Sequence, residues 1–453
     1  MQEFPKPRYP TIRKKVTNEE ILFVARHLAN AKEYKSNKVG FSGYGKTKEG
    51  DRVLLFADNL YDARIIDSIA EALREKGASV DILLTDVGPD RQVDELDEIS
   101  FFICRSGEAE GRERELRLEV IWAWELAERR RYDLLIQGSG GASAPRIARH
   151  SGIPWPTVET FVSETTLFPP EVNEAINRVS WDMIWNKGRG GRVHLTDPEG
   201  TDLTWTLWSE YYDRSNAYGF EKTPRFGHLF GHPISPIVEA QDDTGIIAGT
   251  TDHTGKPFPY IKVHLKDGAA YKIKGGGKYG DAWRDLLEET KNIQFPGRPR
   301  PGLFWLEEVA IGTHPKVFRP TNYLWRSSWM GMWERFRSGI IHMGLGTHLE
   351  DEEWARRNKK IYGHIHVHLM FPTYEITTRD GEKIKVIDKG HLTALDHPSV
   401  RDVASKYGKP EELLNELWIP GIPGINVDGD YSRDYANDPI PWIKKELADY
   451  STA

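Results

Sequence analysis

Residues 361–371 read IYGHIHVHLMF, with three histidines at alternate positions in an otherwise apolar run. On a β-strand, residues i and i+2 project from one face, so His364, His366 and His368 share a side and Ile365, Val367 and Leu369 share the other. A buried strand ordinarily carries Val or Ile at such positions. A row of imidazoles there points to metal ligation or acid–base chemistry. At standard strand rise a His-x-His pair spans roughly 6.6 Å between Cα atoms and can converge on one ion, whereas three span about 13 Å. Two of them therefore ligate and the third serves otherwise, or the row is a hydrogen-bonded ladder without a ligand. Neutral imidazoles favour Zn, Fe, Ni or Cu over Mg or Ca.

Six of the fifteen histidines fall between 314 and 368, namely His314, His342, His348, His364, His366 and His368. In WLEEVAIGTHPKV (305–317), Glu307 and Glu308 precede His314 in a Gly–Thr–His–Pro turn. In SGIIHMGLGTH (338–348), His342 stands among small residues, where the backbone comes close to something else. Trp325, Trp329 and Trp333, spaced by four, share one helix face that either walls an aromatic pocket or packs in the core. The Gly-rich stretches QGSGGASAP (137–145) and KGGGKYG (274–280) match neither the dinucleotide nor the P-loop pattern and read as tight turns. No G-x-S-x-G elbow is present, and Cys104, in SFFICRSG, reads as a strand residue.

The elements that must hold these residues fall into two textures. DRVLLFAD (51–58), DARIIDSIAEALREKGA (62–78), SVDILLTD (79–86), RELRLEVIWAWELAERR (114–130) and YDLLIQG (132–138) alternate strand and helix periodicities, which implies a parallel sheet with helices on its faces. Beyond about residue 195 short alternating strands, Gly and Pro take over. The expectation is an N-terminal α/β domain at 1–205 and an α+β C-terminal domain at 206–453 that carries the metal site, its last 60 residues wrapping over it. A chain of 453 residues with 39% hydrophobic residues can bury such cores. A net charge of −7 argues against a nucleic-acid partner, and the single cysteine excludes an intrachain disulfide or a Cys-based metal cluster. The N-terminus lacks a signal-type apolar region and no apolar run reaches the ~18 residues of a membrane span, so a cytoplasmic location without a membrane partner is expected.

GDRVLLFAD, GTDLTW (200–205), AIGTHP (310–315) and IHVHLMF (365–371) occur in an order that resembles the metallopeptidase family typified by thermophilic aminopeptidase T and its relative 2,5-dihydroxypyridine 5,6-dioxygenase. The likeness covers most of residues 50–390. It implies a homodimer, an N-terminal α/β domain and a C-terminal metal-site domain. Carried over residue by residue, the two-metal peptidase pattern places its first glutamate at His228, its second at Glu308, its central histidine at His342 and its His-x-Asp pair at His366 and His368. Two carboxylates have thus become imidazoles, whereas two adjacent dications need bridging carboxylates to coexist, so a single metal fits better. The dioxygenase pattern implies Fe(II) held by His314, His366 and His368, with His228 as a further candidate ligand. Its implied reaction cleaves a small hydroxylated aromatic or N-heteroaromatic ring with O2. His342 or His364 would take the phenolic proton, and Glu308 would orient a ligand or act as a second base. The alternative is a zinc- or cobalt-dependent metallohydrolase, an aminopeptidase or amidase.

Overall fold

The computed structural model describes residues 4–13, 15–32, 43–86, 103–104, 118–138, 149–153, 156–209, 229–231, 241–252, 255–324, 334–346, 354–355 and 357–452, without the side chains of 103–104, 118–121, 230 and 364. Near the N-terminus a short strand β1 (Thr11–Ile12) leads to the helix Asn18–Asn30. Thr17 and Glu20 cap that helix reciprocally, Glu20 N–H donating to the Thr17 hydroxyl and Thr17 N–H to the Glu20 carboxylate. Four strands then build a parallel sheet: β2 (Arg52–Asp58), β3 (Ser79–Thr85), β5 (Leu134–Gln137) and β6 (His150–Gly152), in the order β3-β2-β5-β6. Strand β4 (Ile103–Cys104) leaves this sheet and pairs elsewhere. The helix Ala63–Glu75 lays Ile65, Ile66, Ile69 and Leu73 on the parallel sheet because those positions recur at helical spacing. The α/β reading of this half holds.

The two larger sheets are antiparallel. Strands β7 (Arg192–Thr196), β8 (Asp202–Thr206), β9 (Leu229–Phe230), β10 (Thr244–Thr251), β11 (Pro257–Lys266), β12 (Ala269–Gly275), β13 (Leu306–Ile311), β14 (Ile341–Gly346), β15 (Tyr362–Leu369), β16 (Thr373–Thr377), β17 (Lys383–Asp388) and β18 (His391–Leu392) fall into two sheets. An eight-stranded sheet has the order β12-β11-β10-β8-β7-β16-β17-β18, and a five-stranded sheet the order β4-β15-β14-β13-β9. They meet where β10 crosses β15. A side chain at Gly249 would approach the Val367 methyl to 2.5 Å, so glycine lets the two sheets close on each other. Val309, Met343 and Val367 enter the core between them. Since side chains alternate, Glu308 of β13, His342 and Gly344 of β14, and His366 and His368 of β15 lie on the face turned away from the eight-stranded sheet.

The C-terminal segment packs back on the molecule. Trp418, Ile419, Ile422, Tyr435 and Tyr450 share a buried cluster with Ile12, Phe318, Ile340 and Phe371. The last strand, β19 (Ser451–Thr452), pairs in parallel with β1, so both ends of the chain are tied together. Among the described residues no helix is long and apolar enough to cross a membrane.

Candidate functional site

Three strands from separate stretches of sequence compose the site. The β13–β14 register sets Glu308 opposite Gly344 and Ala310 opposite His342, and the β14–β15 register sets Gly344 opposite His366 and His342 opposite His368. Cross-strand partners share a face, so Glu308, His342, His366 and His368 project from the same side. Glu308 reaches that side through a bulge. Leu306 pairs with Leu345 and Glu308 with Gly344, leaving Glu307 as the extra residue. Glu307 is instead taken up by the buried Arg298 guanidinium, whose Nη2 also donates to the Gly346 carbonyl at 2.8 Å.

His366 Nε2 lies 3.3 Å and His342 Nε2 3.5 Å from one oxygen, Oε2 of Glu308, and the two rings stack with centroids 4.1 Å apart. Among the described residues this trio is the one group of three or more His, Cys, Asp or Glu whose ligand atoms all lie within 4.8 Å of one another. The missing side chain of Gly344 makes the convergence feasible, because a Cβ there would sit 2.8 Å from His366 Nε2 and 3.2 Å from Glu308 Cβ. Both histidines are fully buried and the Glu308 side chain is 17% exposed, so solvent reaches the trio on the carboxylate side. Burial, helped by neighbouring His366, holds His342 well below the usual imidazole range despite Glu308. Burial likewise lowers His366 to about 4, with the Glu308 contact opposing it. Both rings are neutral at pH 7, the state in which imidazole ligates a metal.

Behind the trio runs a second layer. His342 Nδ1 is 2.9 Å from His368 Nε2, and His368 Nδ1 is 3.0 Å from Glu334 Oε1. Burial works against ionisation of Glu334, but the Arg319 guanidinium at 3.0 Å and the His368 contact outweigh it and hold this acid below the usual carboxylate range. An ionised Glu334 only accepts, so His368 Nδ1–H donates to it. Where His368 Nε2 accepts from His342 Nδ1–H, the lone pair of His342 falls on Nε2, the atom that faces Glu308. A carboxylate acting through an imidazole thus fixes the tautomer of the one that would ligate. The Tyr279 hydroxyl steadies β15 by donating to the His366 carbonyl at 3.1 Å. Arg335, also buried, turns Nη1 toward His342 Nε2 at 3.5 Å; burial lowers its guanidinium to about 10, with Glu308 pulling the other way.

His314 stands apart from the trio. Its backbone N–H donates to the Phe336 carbonyl, its Nδ1 accepts the Lys316 backbone N–H at 3.1 Å, and its ring packs on Phe168 at 4.6 Å. Burial and nearby Lys316 lower it to about 3, so it is neutral with its proton on Nε2. Both nitrogens of His368 are engaged in the second layer. His364 lies opposite Gly346 in register, its side chain beyond what the structure describes. His228, His348, Trp325, Trp329, Trp333 and most of the 137–145 stretch lie outside the described residues. KGGGKYG forms the turn from β12 into the helix Gly277–Thr290. Glu334, Arg335, Arg319 and Gly344 carry no sequence signal of their own. ERFRSG (334–339) is a charged stretch that the fold buries.

No protein-family model and no curated protein matches this sequence. Two solved structures are similar in fold at low identity. One is a 2,5-dihydroxypyridine dioxygenase from Pseudomonas putida, 14% identical, covering 83% of this chain and 98% of its own, with a TM-score of 0.46. The other is AmpT from Thermus thermophilus, 16% identical, covering 83% of this chain and 100% of its own, with a TM-score of 0.44.

Proposed function

We propose that this protein is a mononuclear metal-dependent enzyme whose ion is held by Glu308, His342 and His366. The observation that carries this reading is the convergence of two neutral imidazole Nε2 atoms on one carboxylate oxygen in a mostly dry site. The donor set fits a divalent transition metal. Two histidines and one carboxylate are the set used by non-haem ferrous oxygenases, and also by zinc peptidases. The finer reading is an Fe(II) dioxygenase that opens a hydroxylated aromatic or N-heteroaromatic ring, both atoms of O2 entering the product. When bound, the ion would supply open positions where a deprotonated ring hydroxyl and O2 come together. The chain's own contribution is orientation and exclusion of water. Glu334 and His368 hold His342 in one tautomer, Gly344 leaves room for His366, and burial removes competing solvent. On this reading His342 is a ligand and not the base, and His368 supports it from behind.

A zinc or cobalt hydrolase is the second reading, favoured by the same donor set. Metal content of the full chain purified without added metal, together with oxygen uptake on dihydroxypyridines and dihydroxyphenols, separates the two. Iron near one per chain with oxygen consumption is the expected result. Zinc or cobalt with hydrolysis of aminoacyl amides and no oxygen uptake would replace the dioxygenase reading by the hydrolase.

A further inference from the structure

Away from the histidines, a cleft of about 810 Å3 lies between the segment that follows β1, the start of the helix Ala63–Glu75, the stretch at Thr321 and the end of the helix Ile440–Ala448. Small-molecule pockets measure roughly 300–1,000 Å3 and favour junctions between structural units, so both the size and the place suit a ligand. Neither the trio nor the layer behind it lines this cleft. Among the described residues three cationic side chains line it, Arg13, Lys15 and Arg64, against one carboxylate, Glu159. That acid is already engaged, since its Oε1 accepts from the backbone N–H and the hydroxyl of Thr321. The carboxylates that hold two of the cations lie outside the lining. Glu20 takes Arg13, and Asp62 takes Arg64 through Nε at 3.0 Å and Nη2 at 2.7 Å. Such pairing positions a guanidinium without using all five of its N–H donors. Lys15 is exposed and makes neither a hydrogen bond nor an ion pair. Ile12, Val16, Val158 and Leu447 give the same cleft an apolar wall.

We propose that this cleft is a second binding site, independent of the metal site, for a small phosphomonoester with an apolar or aromatic body. A phosphomonoester carries nearly two negative charges at pH 7 and three acceptor oxygens, which suits three cationic donors better than a single carboxylate does. The arginines supply directed forks and Lys15 a point charge. The body of the ligand lies against the apolar wall. An occupant touches both ends of the chain, at Ile12 and Tyr450, and raises the melting temperature by mass action.

The test is calorimetric titration of the full-length chain with phenyl phosphate and with phenol, which differ in the charged group. The wild type is expected to bind one phenyl phosphate per chain and no measurable phenol. Lys15→Gln should weaken phenyl phosphate roughly tenfold, the effect of removing one charged hydrogen bond. Its melting temperature without ligand should not change, because Lys15 bonds to nothing else in the fold. Ala448→Trp places a large side chain in the cleft from an exposed position and should abolish binding. Should Ala448→Trp lower the melting temperature, Lys15→Gln alone decides. Phenyl phosphate held at the histidine site instead would survive both changes, and full affinity in Lys15→Gln, or in a stably folded Ala448→Trp, overturns the inference. A wild type that binds phenol as well as phenyl phosphate, or neither of them, overturns it too.

Discussion

A single methyl group at position 344 would occupy the space into which His366 and Glu308 converge, since its carbon would lie 2.8 Å from His366 Nε2. Gly344→Ala is therefore expected to lower metal affinity by roughly 10–100-fold, as displaced support around a ligand typically does, with little change in secondary structure. Titration with Zn(II) or Co(II) beside far-ultraviolet circular dichroism reads both quantities. Three histidine variants order the roles of the imidazoles. His342→Ala should abolish tight binding. His368→Asn should weaken it by about 10–100-fold, because His342 loses the acceptor that fixes its tautomer. His314→Gln should leave affinity nearly unchanged while lowering stability, since His314 Nδ1 secures the turn at Lys316. Abolished binding in His314→Gln with retained binding in His342→Ala would instead favour the three-histidine set implied by the family resemblance.

At the scale of elements, the histidine strand and its partner stretches were plain in the sequence and their register was not. Alternation in IYGHIHVHLMF shows which residues of β15 share a face. It does not show that Gly344 lies opposite His366, or that a bulge at Glu307 turns Glu308 toward both. Register between strands is a long-range property, and a slip of one residue exchanges the faces. The parallel sheet was legible because LLF and LLI sit in continuous apolar runs between helical periodicities. The pairing of β7 with β16, 177 residues apart when counted from Thr196 to Thr373, was not. The turn between β7 and β8 hides another buried acid. Glu199 accepts from the Tyr431 hydroxyl at 2.6 Å and from the Thr250 hydroxyl at 3.2 Å. Burial, then the charge of Asp197, pushes it up to about 8, with those two hydroxyls opposing. Its folded pKa is raised, so the native state holds this proton more tightly than the unfolded chain does. Its contribution to stability is full below about pH 4 and is lost as pH rises toward 8. Glu199→Gln should then melt a few degrees above the wild type at pH 8 and show no such advantage near pH 4. An identical offset at both pH values in a melting series would refute this assignment.

The whole molecule enters the site through Arg319. Its guanidinium is held between Glu334 at 3.0 Å and Glu446 at 3.2 Å and lies against Tyr323 and Trp418. Glu446 belongs to the helix Ile440–Ala448 near the C-terminus and accepts from Trp418 Nε1 at 3.1 Å. The C-terminal wrap thus connects through Glu446, Arg319, Glu334 and His368 to His342, although none of its residues belongs to the trio. Arg319→Met removes the cation that keeps buried Glu334 ionised. The depressed pKa of Glu334 gives stability above the unfolded carboxylate range that is lost as pH falls through its folded value; without Arg319 burial acts unopposed by that charge, and the native pKa moves up. A protonated Glu334 can donate to His368, which frees His368 and His342 to exchange tautomers and takes the lone pair of His342 off Nε2. Two losses are therefore expected together: about 3–5 kcal/mol of unfolding free energy in urea, as for a broken buried ion pair, and a weaker grip on Zn(II) in the molecules that remain folded. Lowered stability with unchanged zinc affinity would confine Arg319 to packing and break the proposed connection between the C-terminus and the metal site.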